Sequence, residues 1–206
     1  MRWSSLPEPK QFFDVSAFVY GHRGLWGGGA PENSLVAFQK ARTHQIGVEL
    51  DVRLTADSAP VVFHDATLER MCVDPRSLVD IPARDFEAIL LPNGFPIPTL
   101  DQVLDVMDGL PVLLELKVDT PGDSAIADTI ASFLKDRVGM LAIMSFDEIT
   151  VARLCQLVED RPIGLLIDGE ARIGVAAIAA KAAKARVMGC DFIGAHLSSL
   201  GMASRH

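Results

Sequence analysis

Long uninterrupted apolar runs are missing from this chain, although hydrophobic residues fill 49% of its 206 positions. No stretch of about 18 residues is free of charge or turn signals, so a membrane-spanning helix is not expected. Met1 to Asp14 carries prolines and charges but no apolar h-region, so a secretory leader is not expected either. The expected location is the cytoplasm. Basic residues are also scarce: 19 Lys and Arg stand against 27 Asp and Glu, a formal net charge of −8. A nucleic-acid partner needs a basic face, and this balance argues against one. Cys72, Cys155 and Cys190 are widely spaced and form no CxxC pair, so neither a disulfide framework nor a zinc site is expected. Gly27-Gly28-Gly29 lacks both the Gly-Lys-Ser/Thr ending of a P-loop and the GxGxxG spacing of a dinucleotide site. It reads as a flexible turn.

What is present is a rhythm of short apolar runs and longer helical patterns. Strand-like runs fall at Ala17–Tyr20, Gly47–Val52, Pro60–His64, Pro111–Lys117, Met140–Ser145, Ile163–Ile167 and Asp191–Gly194. Helical patterns run from Asn33 or Ser34 to His44, and over Leu100–Met107, Ser124–Leu134, Asp147–Val158 and Ala171–Arg186. Repeated β-then-α units favour a parallel sheet, because parallel neighbours need a crossover. The length suits one domain. Either an open doubly wound α/β sheet or a (β/α)8 barrel fits, and both collect functional groups at the C-terminal strand ends. Ala66–Pro98 breaks the rhythm with Pro75, Pro82, Pro92, Pro96 and Pro98. It reads as an insertion after strand three, on the side of the site.

Ionisable residues gather where the apolar runs end. Glu49 and Asp51 are two apart, so they share one strand face with Cα atoms roughly 6–7 Å apart. Like charges held so close repel unless a cation sits between them, and carboxylate oxygens suit Mg²⁺ or Ca²⁺. Glu115 and Lys117 repeat the spacing, giving a third metal ligand and a point charge for a phosphoryl oxygen. Arg23 suits bidentate phosphate contact. His22 and His64, both at strand ends, suit general acid and base roles near neutral pH. Three carboxylates, a divalent cation, a phosphodiester, Arg23 and Lys117 together carry no net charge with both imidazoles neutral. The site is therefore balanced only when loaded, and chelation is expected to loosen or inactivate it.

Five ordered segments resemble the signature of glycerophosphodiester phosphodiesterases. They are His22-Arg23-Gly24, Pro31-Glu32-Asn33-Ser34, Glu49-Leu50-Asp51-Val52, Val61-Val62-Phe63-His64-Asp65 and Leu114-Glu115-Leu116-Lys117. The likeness is strong over residues 17–118 and weaker through Ser145-Phe146 and Asp191-Phe192-Ile193-Gly194. It implies a (β/α)8 TIM barrel occupying 1–206 as a single domain, with a small insertion near 66–98. It implies Mg²⁺ or Ca²⁺ on Glu49, Asp51 and Glu115, acid/base work by His22 and His64, phosphate contacts from Arg23 and Lys117, and support from Glu32. The implied reaction is hydrolysis of a glycerophosphodiester to sn-glycerol 3-phosphate and an alcohol, in lipid and glycerol metabolism. First attack by the neighbouring glycerol hydroxyl, through a cyclic phosphate, and direct attack by water both remain open.

One departure stands out. The family usually has a further helix and a final strand carrying Val-x-x-Trp-Thr-Val-Asn, absent from 1–206. The expectation is a barrel incomplete at its C-terminal end, lacking its eighth strand, with unpaired edges on strands one and seven. The expected partner is a small glycerophosphodiester, with no stable membrane insertion. Two alternatives stand beside this one: a phospholipase D-like hydrolase of lysophospholipids, helped by Leu90, Leu91 and Phe95, and a non-catalytic binding protein on a degenerate barrel. No motif residue is missing, which weighs against the last.

Overall fold

The computed structural model describes residues 13–167 and 175–195. In chain order the first elements are β1 (Tyr20–His22), α1 (Leu35–Thr43), β2 (Gly47–Leu54), β3 (Pro60–Val62), α2 (Glu69–Cys72), β4 (Leu90–Leu91) and β5 (Phe95–Pro96). There follow α3 (Leu100–Val106), β6 (Val112–Leu116), α4 (Ala125–Leu134), β7 (Leu141–Ser145) and α5 (Glu148–Leu157). The last are β8 (Ile163–Ile167), α6 (Val175–Met188) and β9 (Phe192–Ala195). The helices start where their caps predict. Ser34 Oγ accepts from the Ala37 N–H, Asp147 accepts from the Thr150 N–H, and Thr99 with Gln102 forms a reciprocal capping box.

The main sheet runs β1-β2-β6-β7-β8-β9, every neighbouring pair parallel. It curls as part of a TIM barrel. Val48, Leu50, Val52, Leu114 and Ile143 point outward and are fully buried under the helices, against Phe38, Leu100, Ile130 and Leu154. Each such side chain contributes about 1.5–3 kcal/mol relative to exposure. Among the described residues β1 and β9 pair with one parallel strand each, so the sheet has two open edges. His196, His206 and the start of the expected alanine-rich helix lie outside the described residues.

Two sequence expectations are corrected. The expected strand at Ala17–Tyr20 is instead a 3-10 turn at Val15–Ala17, capped by Asp14, and the strand begins at Tyr20. His22 therefore lies in β1 rather than after it. More consequentially, Pro60–Val62 is no barrel strand. It pairs antiparallel with β2, Val52 opposite Val62 and Leu54 opposite Pro60. Val52 is also in register with Leu116 on its other edge. So β3 takes the β1 side of β2, beyond the point where β1 ends. The segment from Ala66 to Pro98 follows this hairpin as short 3-10 turns, α2 and the β4–β5 pair. It packs a core of its own from Leu68, Leu78, Ile81, Phe86 and Leu91.

Gly47 sets how closely β1, β2 and β6 approach. A Cβ there would lie 2.8 Å from Pro111 Cγ, from the Pro111 carbonyl oxygen and from Tyr20 Cδ1. The carbonyl cannot swing aside. Gly47→Val is expected to cost about 1–3 kcal/mol as overpacking, read as a lower urea midpoint. An unchanged midpoint would show that the strand spacing is looser than this contact implies.

Candidate active site

Alternation along β2 places Glu49 and Asp51 on the inner face, opposite in direction to Val48, Leu50 and Val52. Parallel register with β6 sets Asp51 beside Glu115. All three carboxyls are buried, and one oxygen of each lies within 4.8 Å of the others. Glu49 Oε2 accepts from the Arg23 backbone N–H at 3.0 Å, and Asp51 Oδ2 accepts from Asn33 Nδ2 at 2.8 Å. Lys117 Nζ donates to Glu115 Oε1 and lies 3.1 Å from Asp51 Oδ1. Arg23 Nε lies 3.2 Å from Asp51 Oδ2.

The carboxyls feel their confinement. Burial first, then the neighbouring Asp51 charge, pushes the Glu49 carboxyl up to about 8. Burial also raises Glu115, partly offset by Lys117. Glu49 Oε1 is buried without a hydrogen bond, and Asp51 Oδ1 is met only by the Lys117 ammonium among the described residues. An all-oxygen cluster with such an unpartnered oxygen fits a hard divalent cation, which takes carboxylate donors.

The two imidazoles flank this cluster. His22 is in register with Glu49, its Nε2 3.8 Å from Glu49 Oε2, and its side chain is largely exposed. Partial desolvation, then the Arg23 charge, hold its pKa below the usual histidine value, against the pull of Asp51 and Glu32. His64 follows β3 at a bend, within electrostatic reach of Glu115. Its Nδ1 lies 2.6 Å from Asp65 Oδ1, and its carbonyl accepts from Arg53 Nε at 2.8 Å. Arg53 in turn pairs with Asp119.

The β1–α1 loop folds onto the cluster. Arg23 has φ 57° and Gly24 φ 84°, so the chain turns sharply just after β1. A Cβ at Gly24 would lie 3.0 Å from Ala37 Cβ, which makes glycine the residue that lets α1 close down. Arg23 Nη1 donates to Glu32 Oε1 at 2.9 Å, and the Asn33 N–H donates to the Arg23 carbonyl at 3.0 Å. Burial raises the Glu32 carboxyl, but Arg70 and Arg23 together outweigh it and hold it below the usual range.

Every site residue singled out from the sequence is thus gathered at one end of the sheet: His22, Arg23, Glu32, Glu49, Asp51, His64, Glu115 and Lys117. Ser145 is buried, its hydroxyl donating to the Leu116 carbonyl. His44 is the exposed C-cap of α1. Gly27, Gly28 and Gly29 all have positive φ, as a turn requires. Trp26 donates its indole N–H to the His22 carbonyl. Two residues escaped the sequence reading. Asn33, weighed only as a helix cap, is buried and orients Asp51; a left-handed asparagine inside a quoted motif was the available signal. Arg70 bridges Glu32 and Asp65 from a four-residue helix, and no periodicity marks it.

Beside Glu49 and Glu115, between the two open edges of the sheet, the inner face presents apolar side chains, among them Phe18, Leu113, Met144, Leu166 and Ile193. No helix among the described residues is long and apolar enough to cross a membrane.

A model of the glycerophosphoryl diester phosphodiesterase family matches residues 22–198. Glycerophosphodiester phosphodiesterase 1 of Bos taurus is 38% identical over 85 residues, 36% of this chain and 26% of that protein. The chain therefore spans about a quarter of the length of that curated relative. A solved glycerophosphodiester phosphodiesterase from Thermotoga maritima superposes with a TM-score of 0.65 at 30% identity, covering 82% of this chain and 70% of its own. An Oleispira antarctica phosphodiesterase, solved with the product sn-glycerol-3-phosphate, gives a TM-score of 0.73 at 22% identity, covering 90% and 78%. The latter likeness is one of fold.

Proposed function

This chain belongs to the glycerophosphoryl diester phosphodiesterase family, and from that premise we propose that it hydrolyses glycerophosphodiesters to sn-glycerol 3-phosphate and an alcohol. The observation that carries the reading is the convergence of three buried carboxyls, from β2 and β6, between His22 and His64. A neighbour of the same fold holds sn-glycerol-3-phosphate as product, which supports the product side of the assignment. The reading treats 1–206 as one domain, with 66–98 as an excursion from it.

Glu49, Asp51 and Glu115 would hold the cation, Mg²⁺ or Ca²⁺. When bound, such an ion supplies Lewis acidity and neutralises developing phosphoryl charge. Arg23 and Lys117 bring two fixed positive charges to the same end of the sheet, where a phosphodiester anion would be held. Glu32 keeps the Arg23 guanidinium from swinging free. His64 and His22, near Glu115 and Glu49 respectively, exchange protons with the attacking and leaving oxygens.

One observation favours a second substrate class. Leu90 of β4 is a large apolar side chain left exposed, which suits contact with an acyl chain, as in a lysophospholipid. A coupled assay of choline release, a product common to glycerophosphocholine and lysophosphatidylcholine, separates the possibilities, with glycerol 3-phosphate formed only from the former. Glycerophosphocholine is expected to turn over, to stop in EDTA, and to recover with excess Mg²⁺ or Ca²⁺. Turnover insensitive to EDTA would remove the metal. Preference for lysophosphatidylcholine would move the substrate to the lipid.

A further inference from the structure

The excursion between β3 and α3 carries a residue that no other feature of the reading uses. Arg70, in α2, sends Nε to Asp65 Oδ2 at 2.5 Å and Nη2 to Glu32 Oε1 at 2.6 Å. Asp65 meets His64 Nδ1 through its other oxygen at 2.6 Å. Glu32 meets Arg23 Nη1 through the same oxygen that Arg70 uses, at 2.9 Å. Arg23 in turn reaches Asp51. A single guanidinium thus links the acid/base histidine to the phosphate arginine and, through it, to the carboxylate cluster. We propose that Arg70 is a positioning residue for the reaction assigned above, on which this inference rests: it orients Asp65, and through Asp65 fixes the tautomer of His64.

Asp65 faces a guanidinium on one side and an imidazole on the other. Burial alone would raise its carboxyl, but Arg70 and His64 together hold it below the usual range. An ionised carboxylate can only accept hydrogen bonds. His64 Nδ1 must therefore carry the proton in the neutral ring, leaving Nε2 as the nitrogen that takes or gives one. Without Arg70, Asp65 has fewer partners fixing its plane, and the imidazole is free to turn and change tautomer. Stability is a poor explanation for the arrangement, because the Arg70 side chain is 48% exposed and exposed ion pairs contribute little. A planar fork that engages two carboxylates at once specifies orientation instead.

Two measurements on Arg70→Ala and Arg70→Lys test this in the full chain. In steady-state assays with glycerophosphocholine, Arg70→Ala is expected to lower kcat about 10–100-fold, the range seen when an orienting partner is removed, with KM changed little. Arg70→Lys is expected to recover part of that loss. In ¹⁵N spectra of histidine-labelled protein, wild-type His64 is expected as the Nδ1–H tautomer, and Arg70→Ala as a mixture. An Arg70→Ala protein that keeps the wild-type His64 spectrum overturns the proposal, as does one with kcat within about twofold of wild type. Should the wild-type protein release no glycerol 3-phosphate, it is the reading of function that fails. The imidazole spectra still decide the Arg70–Asp65–His64 linkage.

Discussion

His64→Ala is expected to lower kcat toward glycerophosphodiesters by about 10²–10⁴-fold, the usual contribution of a positioned proton-transfer group. His22→Ala is expected to do the same. Both variants should stay folded, because neither imidazole is structural. His22 is largely exposed, with Glu49 Oε2 as its nearest charged partner at 3.8 Å. Among the described residues the His64 ring hydrogen-bonds only to Asp65, and the bond that anchors its backbone comes from Arg53 to the carbonyl, which alanine keeps. A circular-dichroism melt beside the assay makes the comparison clean. Full activity of either variant, at unchanged melting temperature, would take that histidine out of the proton-transfer chemistry.

Asp51→Asn carries the second large effect. Asp51 is fully buried and central: Asn33 and Arg23 meet one oxygen, Lys117 approaches the other, and Glu115 is its register partner. An isosteric amide keeps the volume but removes the charge that would bind the cation. Metal catalysis is worth several kcal/mol, and each 1.36 kcal/mol is tenfold in rate, so the expected loss is about 10²–10³-fold. Thermal shift gives an independent readout. Saturating Mg²⁺ or Ca²⁺ should stabilise the wild-type protein by mass action, by about 2.7 kcal/mol at 100 times Kd, and so raise its melting temperature. Asp51→Asn should show no such rise. The variant also removes a charge that pushes Glu49 upward, so its metal-free stability need not fall. A cation-dependent shift that survives in Asp51→Asn would remove Asp51 from the ligand set.

The carboxylate cluster was legible from spacing alone. Glu49, Asp51 and Glu115 are charged residues at alternate positions within apolar strands, and only an inward-facing site reconciles that pattern with burial. The helices were legible because capping is local: Ser34, Thr99 and Asp147 act within three residues of themselves. Strand direction was not read correctly, yet the signal existed. Thr55–Ala59 gives five residues between β2 and β3, too few for the crossover that a parallel pair needs, and ample for a hairpin. Arg70 and Asn33 were hidden for a different reason. One partner of Arg70 lies 38 residues away and that of Asn33 18, and no local rule reports such contacts. The 66–98 segment looked irregular because 3-10 turns carry no 3.6-residue period. Its small core becomes visible only once the chain has folded back.

That hairpin makes the reach of His64 a matter of odd and even. Val62 belongs to the main core and Val61 to the small one, and a slip of one position along β2 would exchange them. Changes in the length of the 55–59 turn are thereby confined to those that keep Val52 opposite Val62. The stretch after α2 is under no such arithmetic, and it is there, beyond the Arg70 contacts, that insertions and deletions are expected to leave the carboxylate end of the sheet undisturbed.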